Sequence, residues 1–248
     1  MATRPFSKCV LTSASTNTTK QSSFRNTPRL SLGERRVKTG MTTVIRTLVL
    51  VTLCGPSTLF AQHLPANLIA AARERTRLQE RYDGSYQIIP YPNGDVPNER
   101  GVCTDLVIRA YRALHIDLQV LVHEDMKRNF GRYPQLWGLQ KPDPNIDHRR
   151  VPNLRTFFAR QGAQLPVIQQ PSDYQPGDLV TWRLPRNLPH IGIVSDQKVL
   201  GTERPKIIHN IGAGPVEDDI LFVYPITGHY RFYPKRSSPA SQSEVPIL

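Results

Sequence analysis

Cys103 stands where a glycine-bearing loop gives way to helical periodicity, with Leu106, Val107, Ala110 and Leu114 recurring on one face. A helix start leaves backbone N–H groups without partners and carries the positive end of the helix dipole; both stabilise a thiolate. The same N–H groups stabilise an oxyanion developing on a carbonyl under attack. A thiol nucleophile also needs a base within hydrogen-bond reach. His190 opens the run Pro189-His-Ile-Gly-Ile-Val-Ser-Asp196, in which Ile191 and Ile193 point one way and His190, Gly192 and Val194 the other. His209, in Ile207-Ile-His-Asn-Ile-Gly212, falls on the next strand, in range to orient the His190 ring and fix its tautomer as the third member of a triad does. Asn210 competes with it for that role. Singly, each histidine is more often structural and a lone cysteine more often a small buried hydrophobe; the combination is what points to chemistry. Of the other histidines, His148 in Asp147-His-Arg-Arg150 is placed to line a cleft.

The elements that must position these residues divide into two kinds. Helical spacing predicts a helix over 64–82, a second over 103–114 beginning at Cys103, a third near Leu118–Phe130 and a short one over Val151–Gln161 closed by Gly162. Residues 83–101 and 131–150 are rich in Gly, Pro, Asn or Asp and read as irregular loops. Beyond them the period changes: Leu179–Leu184, Ile191–Ser195, Lys206–Ile211, Leu221–Ile226 and His229–Tyr233 are β-type runs. Helices first and strands second predict an α+β fold, N-terminal helices packed on a small antiparallel sheet.

The 248 residues carry a formal charge of +12, unevenly distributed. Residues 1–40 hold eight basic residues against one acid, read as a disordered or mis-assigned extension. Met41–Arg46 followed by the apolar Thr47–Leu53 has the signal-peptide pattern, with cleavage expected near Ala61. Residues 62–234 then form one domain and 235–248 a frayed tail. Without the N-terminal segments the net charge is roughly +4, so the charge requires no nucleic-acid partner. Cys9 and Cys54 fall in the segments expected to be lost, which leaves Cys103 without a disulfide partner. The expected protein is a soluble periplasmic or secreted monomer with no stable membrane anchor and no cofactor. A zinc site from Cys103, His190 and His209 is disfavoured, since no CxxC or HExxH pattern accompanies them.

Three segments in order resemble the NlpC-type papain-like peptidases of bacterial cell walls: Tyr91…Gly101-Val-Cys-Thr-Asp-Leu-Val107, Gln175-Pro-Gly-Asp-Leu-Val-Thr-Trp182, and His190-Ile-Gly-Ile-Val-Ser195 followed by Ile208-His-Asn210. Further matches, among them Asn145-Ile-Asp-His-Arg-Arg-Val-Pro-Asn153 and Pro225-Ile-Thr-Gly-His-Tyr230, are similar to an exported bacterial family named only as domain of unknown function 1287. The resemblance implies a papain-like fold and a Cys103–His190–His209 hydrolase acting on peptidoglycan or its muropeptide fragments. It also implies an upstream tyrosine at the oxyanion or substrate, for which Tyr91 is the candidate and Tyr86 the competitor. The peptidases place Asp before the cysteine and Ser-Gly after it; here Val102 and Thr104-Asp105 stand there, so Asp105 is a candidate to face the cleft. A non-catalytic wall-binding module and an acyltransferase using the same cysteine are the alternatives.

Overall fold

The computed structural model describes residues 56–234, with side chains from residue 63. The proposed extension over 1–40, most of the proposed leader over 41–61 and the tail over 235–248 lie outside the described residues.

Four helices precede most of the sheet: α1 (Pro56–Arg75), α2 (Cys103–Arg112), α3 (Leu118–Asn129) and α4 (Val151–Arg160). Between α1 and α2, β1 (Arg81–Tyr82) and β2 (Arg100–Gly101) form a two-residue parallel pair. The remaining strands are β3 (Gln164–Leu165), β4 (Leu179–Leu184), β5 (Leu188–Lys198), β6 (Pro205–Asn210), β7 (Pro215–Asp218) and β8 (Ile226–Tyr230). They form one six-stranded sheet in the order β3-β8-β4-β5-β6-β7, every neighbouring pair antiparallel. The architecture is α+β, as the sequence pattern predicts.

Alternation along the strands divides the sheet's residues between two cores. Leu179, Ile191, Ile193, Ile208 and Tyr230 join the helices in the larger one. Val180, Trp182, Val194 and Ile207 point to the other face, where Tyr174, Ile220 and Leu221 cover them. Helix α2 lies at the centre of the larger core, with nine of its ten residues buried. Its first residue, Cys103, is therefore held by packing from several sides.

Three expected elements differ; the strand expected over His229–Tyr233 runs instead from Ile226 to Tyr230 as β8. The helix expected over 64–82 ends at Arg75. There the Thr76 hydroxyl donates back to the Arg73 carbonyl at 2.8 Å, and Arg75 pairs with Glu80 and with Asn98 across the turn. The chain is thereby freed to enter β1. The strand expected over Leu221–Ile226 is a turn up to its last residue, and the edge beside β6 is taken by Pro215–Asp218 instead. The apolar run is explained by burial rather than pairing: Leu221 fills the second core while its carbonyl accepts the Trp182 indole N–H at 2.9 Å, and Phe222 packs edge-on against Tyr174.

Candidate active site

Val102 caps α2 in an extended conformation but has no side-chain acceptor to offer. Asp105, three residues on, supplies it: its carboxylate accepts the Val102 N–H at 2.8 Å. Both oxygens of that carboxylate also take Arg149, at 2.7 and 2.9 Å, and the Thr104 hydroxyl donates to the Arg149 carbonyl at 2.9 Å. The start of α2 is thus fastened to the short 3-10 turn Asp147–Arg149. Asp105 does not face the cleft; it is buried and fully engaged in this clamp.

Cys103 is a free thiol, 4% exposed. Burial pushes it up to about 12, and the Asp105 carboxylate acts in the same direction. Three backbone N–H groups aimed at the sulfur, those of Ile191, Thr104 and Cys103 itself, oppose the rise. Ile191 is the residue after His190 on β5; its side chain joins the larger core with Cys103, whereas His190 shares the other face of the sheet with Trp182 and is not among the residues lining the cleft beside the sulfur. Tyr82 lines the same cleft as Cys103, and its hydroxyl is raised to about 12 by partial burial and then by Cys103 and Asp105. Tyr82 arrives there because β1 pairs with β2, setting it opposite Gly101, one step before the helix cap. A side chain at Gly101 would crowd Glu80 at 3.0 Å and the Asp105 methylene at 3.2 Å.

His190 and His209 meet as the strand reading expects. His190 Nε2 lies 3.2 Å from His209 Nδ1, with the rings at 88°. Gly192 makes the meeting possible. It pairs directly with His209, and a Cβ on it would sit 3.1 Å from the His209 Cβ and 2.6 Å from Ile207 Cγ2. Trp182, opposite His190 in register, covers the ring at a centroid distance of 5.8 Å. Burial lowers His190 to about 3, with His209 adding to the effect, and burial lowers His209 to about 4. Both rings are therefore neutral near pH 7, and one of the two facing nitrogens carries the shared proton. With that proton on His190 Nε2, His190 Nδ1 presents a lone pair and is the basic atom.

A cleft of about 420 Å³ opens beside Cys103, walled by Tyr82, Tyr86, Trp137, Arg149, Arg150 and the first residues of α4. Tyr91 is not in it: 41% exposed, it donates to Glu124 at 3.2 Å and packs edge-on against His123. Asn210 does not meet His190; its Oδ1 accepts the Gly212 N–H at 3.2 Å. His148 is buried away from the cleft, lowered to about 3 first by burial and then by the nearby Arg149 and Arg112. Sequence reasoning missed Tyr82 and Trp137; it singled out the Asp147–Arg150 segment but placed His148 at the cleft, where the structure places Arg149 and Arg150. A signal existed for Arg149, since an acid at a buried helix start requires a cation. None existed for Tyr82, which two residues of long-range pairing deliver. Among the described residues, no three His, Cys, Asp or Glu side chains are gathered to hold a metal ion.

The chain is an α+β protein with a free thiol at the start of a central helix, beside a cleft, and a coupled imidazole pair on β5 and β6. The chain belongs to the family described as Domain of unknown function (DUF1287), whose model matches residues 69–232 and so contains every site element above. It is 52% identical over 183 residues to Uncharacterized protein YijF of Escherichia coli (strain K12), an alignment covering 73% of this chain and 88% of that protein.

Proposed function

We propose that the chain is an exported cysteine hydrolase of the NlpC-type papain-like kind that cleaves an amide bond in peptidoglycan stem peptides. The observation that carries this reading is the coupled pair, His190 Nε2 on His209 Nδ1, together with the N–H of Ile191, the residue after His190, acting on the Cys103 sulfur. In this mechanism Cys103 attacks the scissile carbonyl as His190 Nδ1 takes the thiol proton. The high thiol and low imidazole values make this a transfer during attack rather than a resting ion pair. The carbonyl electrons move onto oxygen, held by the Cys103 N–H and the Tyr82 hydroxyl. Collapse of the tetrahedral species expels the amine, protonated by His190, and leaves a thioester. Water, deprotonated by the same ring, hydrolyses it and restores the thiol. The leader pattern near Ala61 supports export, and the modest charge of the remaining chain supports a wall polymer rather than nucleic acid.

The test is incubation of the purified protein with peptidoglycan and muropeptides, the products identified by mass spectrometry beside Cys103→Ala and His190→Ala. Fragments released by the wild type alone support the reading, and their masses name the bond. Equal, empty digests from wild type and Cys103→Ala, with equal binding of the polymer, would replace it with a wall-binding module. Transfer to an added amine in place of water would make the protein an acyltransferase.

A further inference from the structure

The wall of the cleft opposite Tyr82 comes from a loop whose sequence resembles nothing in the wall peptidases. Three observations give it a definite chemistry. The cleft lining contains two arginines and no carboxylate. One of them, Arg149, is neutralised by its two-pronged pair with Asp105. The other, Arg150, has one longer, single-pronged pair. Its only hydrogen bond within the described residues runs from Nη1 to Asp147 at 3.3 Å, a long contact for a charged pair. A guanidinium has five N–H donors, so most of this fork is unspent. It is nonetheless held in place: its carbon lies 3.9 Å above the centre of the Trp137 ring, and its side chain is only 16% exposed. Stacking on an indole fixes the plane of the fork without consuming its edge donors. Arg150 is also the residue that caps α4, whose first residues Val151 and Pro152 line the same cleft. The positive end of that helix adds to the field. The starts of both α2 and α4 thus converge on a cleft with a stacked, largely unspent guanidinium and no carboxylate in its lining, Asp147 pairing with one Arg150 nitrogen from outside that lining.

We propose that Arg150 is the specificity-determining residue of this cleft and binds a carboxylate of the substrate beside the carbonyl that Cys103 attacks. The ligand class is an acidic peptide, its free carboxylate seated on the Arg150 fork with Trp137 and Tyr86 against its apolar part. What is done to that peptide rests on the hydrolase reading above; the anion site itself rests on the composition of the cleft.

The experiment pairs stem peptides that differ only in free against amidated carboxyl groups. Rates are measured for the wild type, Arg150→Gln and Arg150→Lys, and binding to the Cys103→Ala protein is measured by calorimetry with and without Arg150→Gln. We expect kcat/KM to favour the free acid by about tenfold or more, carried by KM, since charge-assisted hydrogen bonds to a fork are involved. Arg150→Gln brings the ratio between the two peptides close to one, and Arg150→Lys restores part of it. Equal use of both peptides by the wild type, which needs no variant, overturns the proposal, as does an Arg150→Gln loss that is the same for both. If neither peptide is cleaved but Cys103→Ala binds the acid in preference and loses that preference with Arg150→Gln, the anion site stands and the hydrolase reading falls. Binding that ignores the carboxylate overturns the site whatever the rates.

Discussion

His190 on β5 and His229 on β8 flank the same strand, facing Trp182 and Val180 of β4 respectively, and both are buried. Their surroundings differ in kind. His229 places Nε2 2.8 Å from Asp178 and Nδ1 3.2 Å from the Pro166 carbonyl, under the Tyr174 ring at a centroid distance of 4.4 Å. Asp178 in turn holds Arg231 with both oxygens and accepts the Gln175 N–H. Every polar atom of that centre has a partner. His190 has only another imidazole, and His209 Nε2 is buried with no partner at all. A buried polar network that is fully satisfied rigidifies a fold; one left incomplete costs stability and is retained where chemistry uses the spare valence. The sheet thus contains a polar centre that is fully satisfied and one left incomplete, one strand apart, and in the proposed hydrolase the chemistry falls to the second.

Substitutions that exchange these properties test the contrast. The largest expected effects are on turnover: Cys103→Ala or His190→Ala lowers kcat/KM by at least about 10³-fold with little change in urea unfolding, while His229→Ala does the reverse, costing about 1–3 kcal/mol in unfolding free energy by leaving Asp178 short of a donor. If His229→Ala costs activity in proportion to His190→Ala at equal folded fraction, the division is wrong. Next in size, Gly192→Ala costs about 1–3 kcal/mol by overpacking and separates the imidazole pair, so both unfolding midpoint and turnover fall; unaltered turnover would mean that the pair is not needed. Third, Tyr82→Phe slows turnover by about tenfold and Tyr91→Phe by less than about twofold, since only Tyr82 lines the cleft beside Cys103.

The smallest effect is read in pH. The unfolded histidines titrate near the ordinary 6.5, whereas His190 and His209 in the fold titrate near 3 and 4. The unfolded chain therefore binds protons in that interval that the fold does not, and stability is lost as pH falls from about 6.5 towards 3. His190→Gln and His209→Gln should flatten that part of the urea midpoint profile. The thiol supplies a companion measurement: with its value near 12, alkylation of the free protein should climb steadily above neutral pH with no acid plateau. An acid plateau would reveal a resting thiolate–imidazolium pair and contradict the transfer mechanism.

How much of this was legible beforehand depended on range along the chain. The helix from Cys103, the alternation from His190 to Val194 and the glycine stop at Gly162 are local patterns, and the structure reproduces each. The pairing of His190 with His209 needed only neighbouring strands. The tyrosine did not yield to the same reasoning. Tyr82, Tyr86 and Tyr91 lie within ten residues, and the two-residue pairing of β1 with β2 selects among them. The role of Asp105 was hidden for a similar reason, its partner Arg149 lying 44 residues away. Leu221–Ile226 misled because an apolar run reports burial, and burial against Trp182 does not require a strand.

The covering of Cys103 has a bearing on how long the protein survives in use. Peroxide oxidises thiolates, and a sulfur that is 4% exposed and holds its proton until pH 12 offers very little of one. Among the described residues Cys103 has no second cysteine to trap a sulfenic acid as a disulfide, so a first oxidation there would lead towards irreversible loss. A thiol kept covered and protonated is thus also a thiol preserved, held reduced through long idle periods in which a more reactive one would be spent.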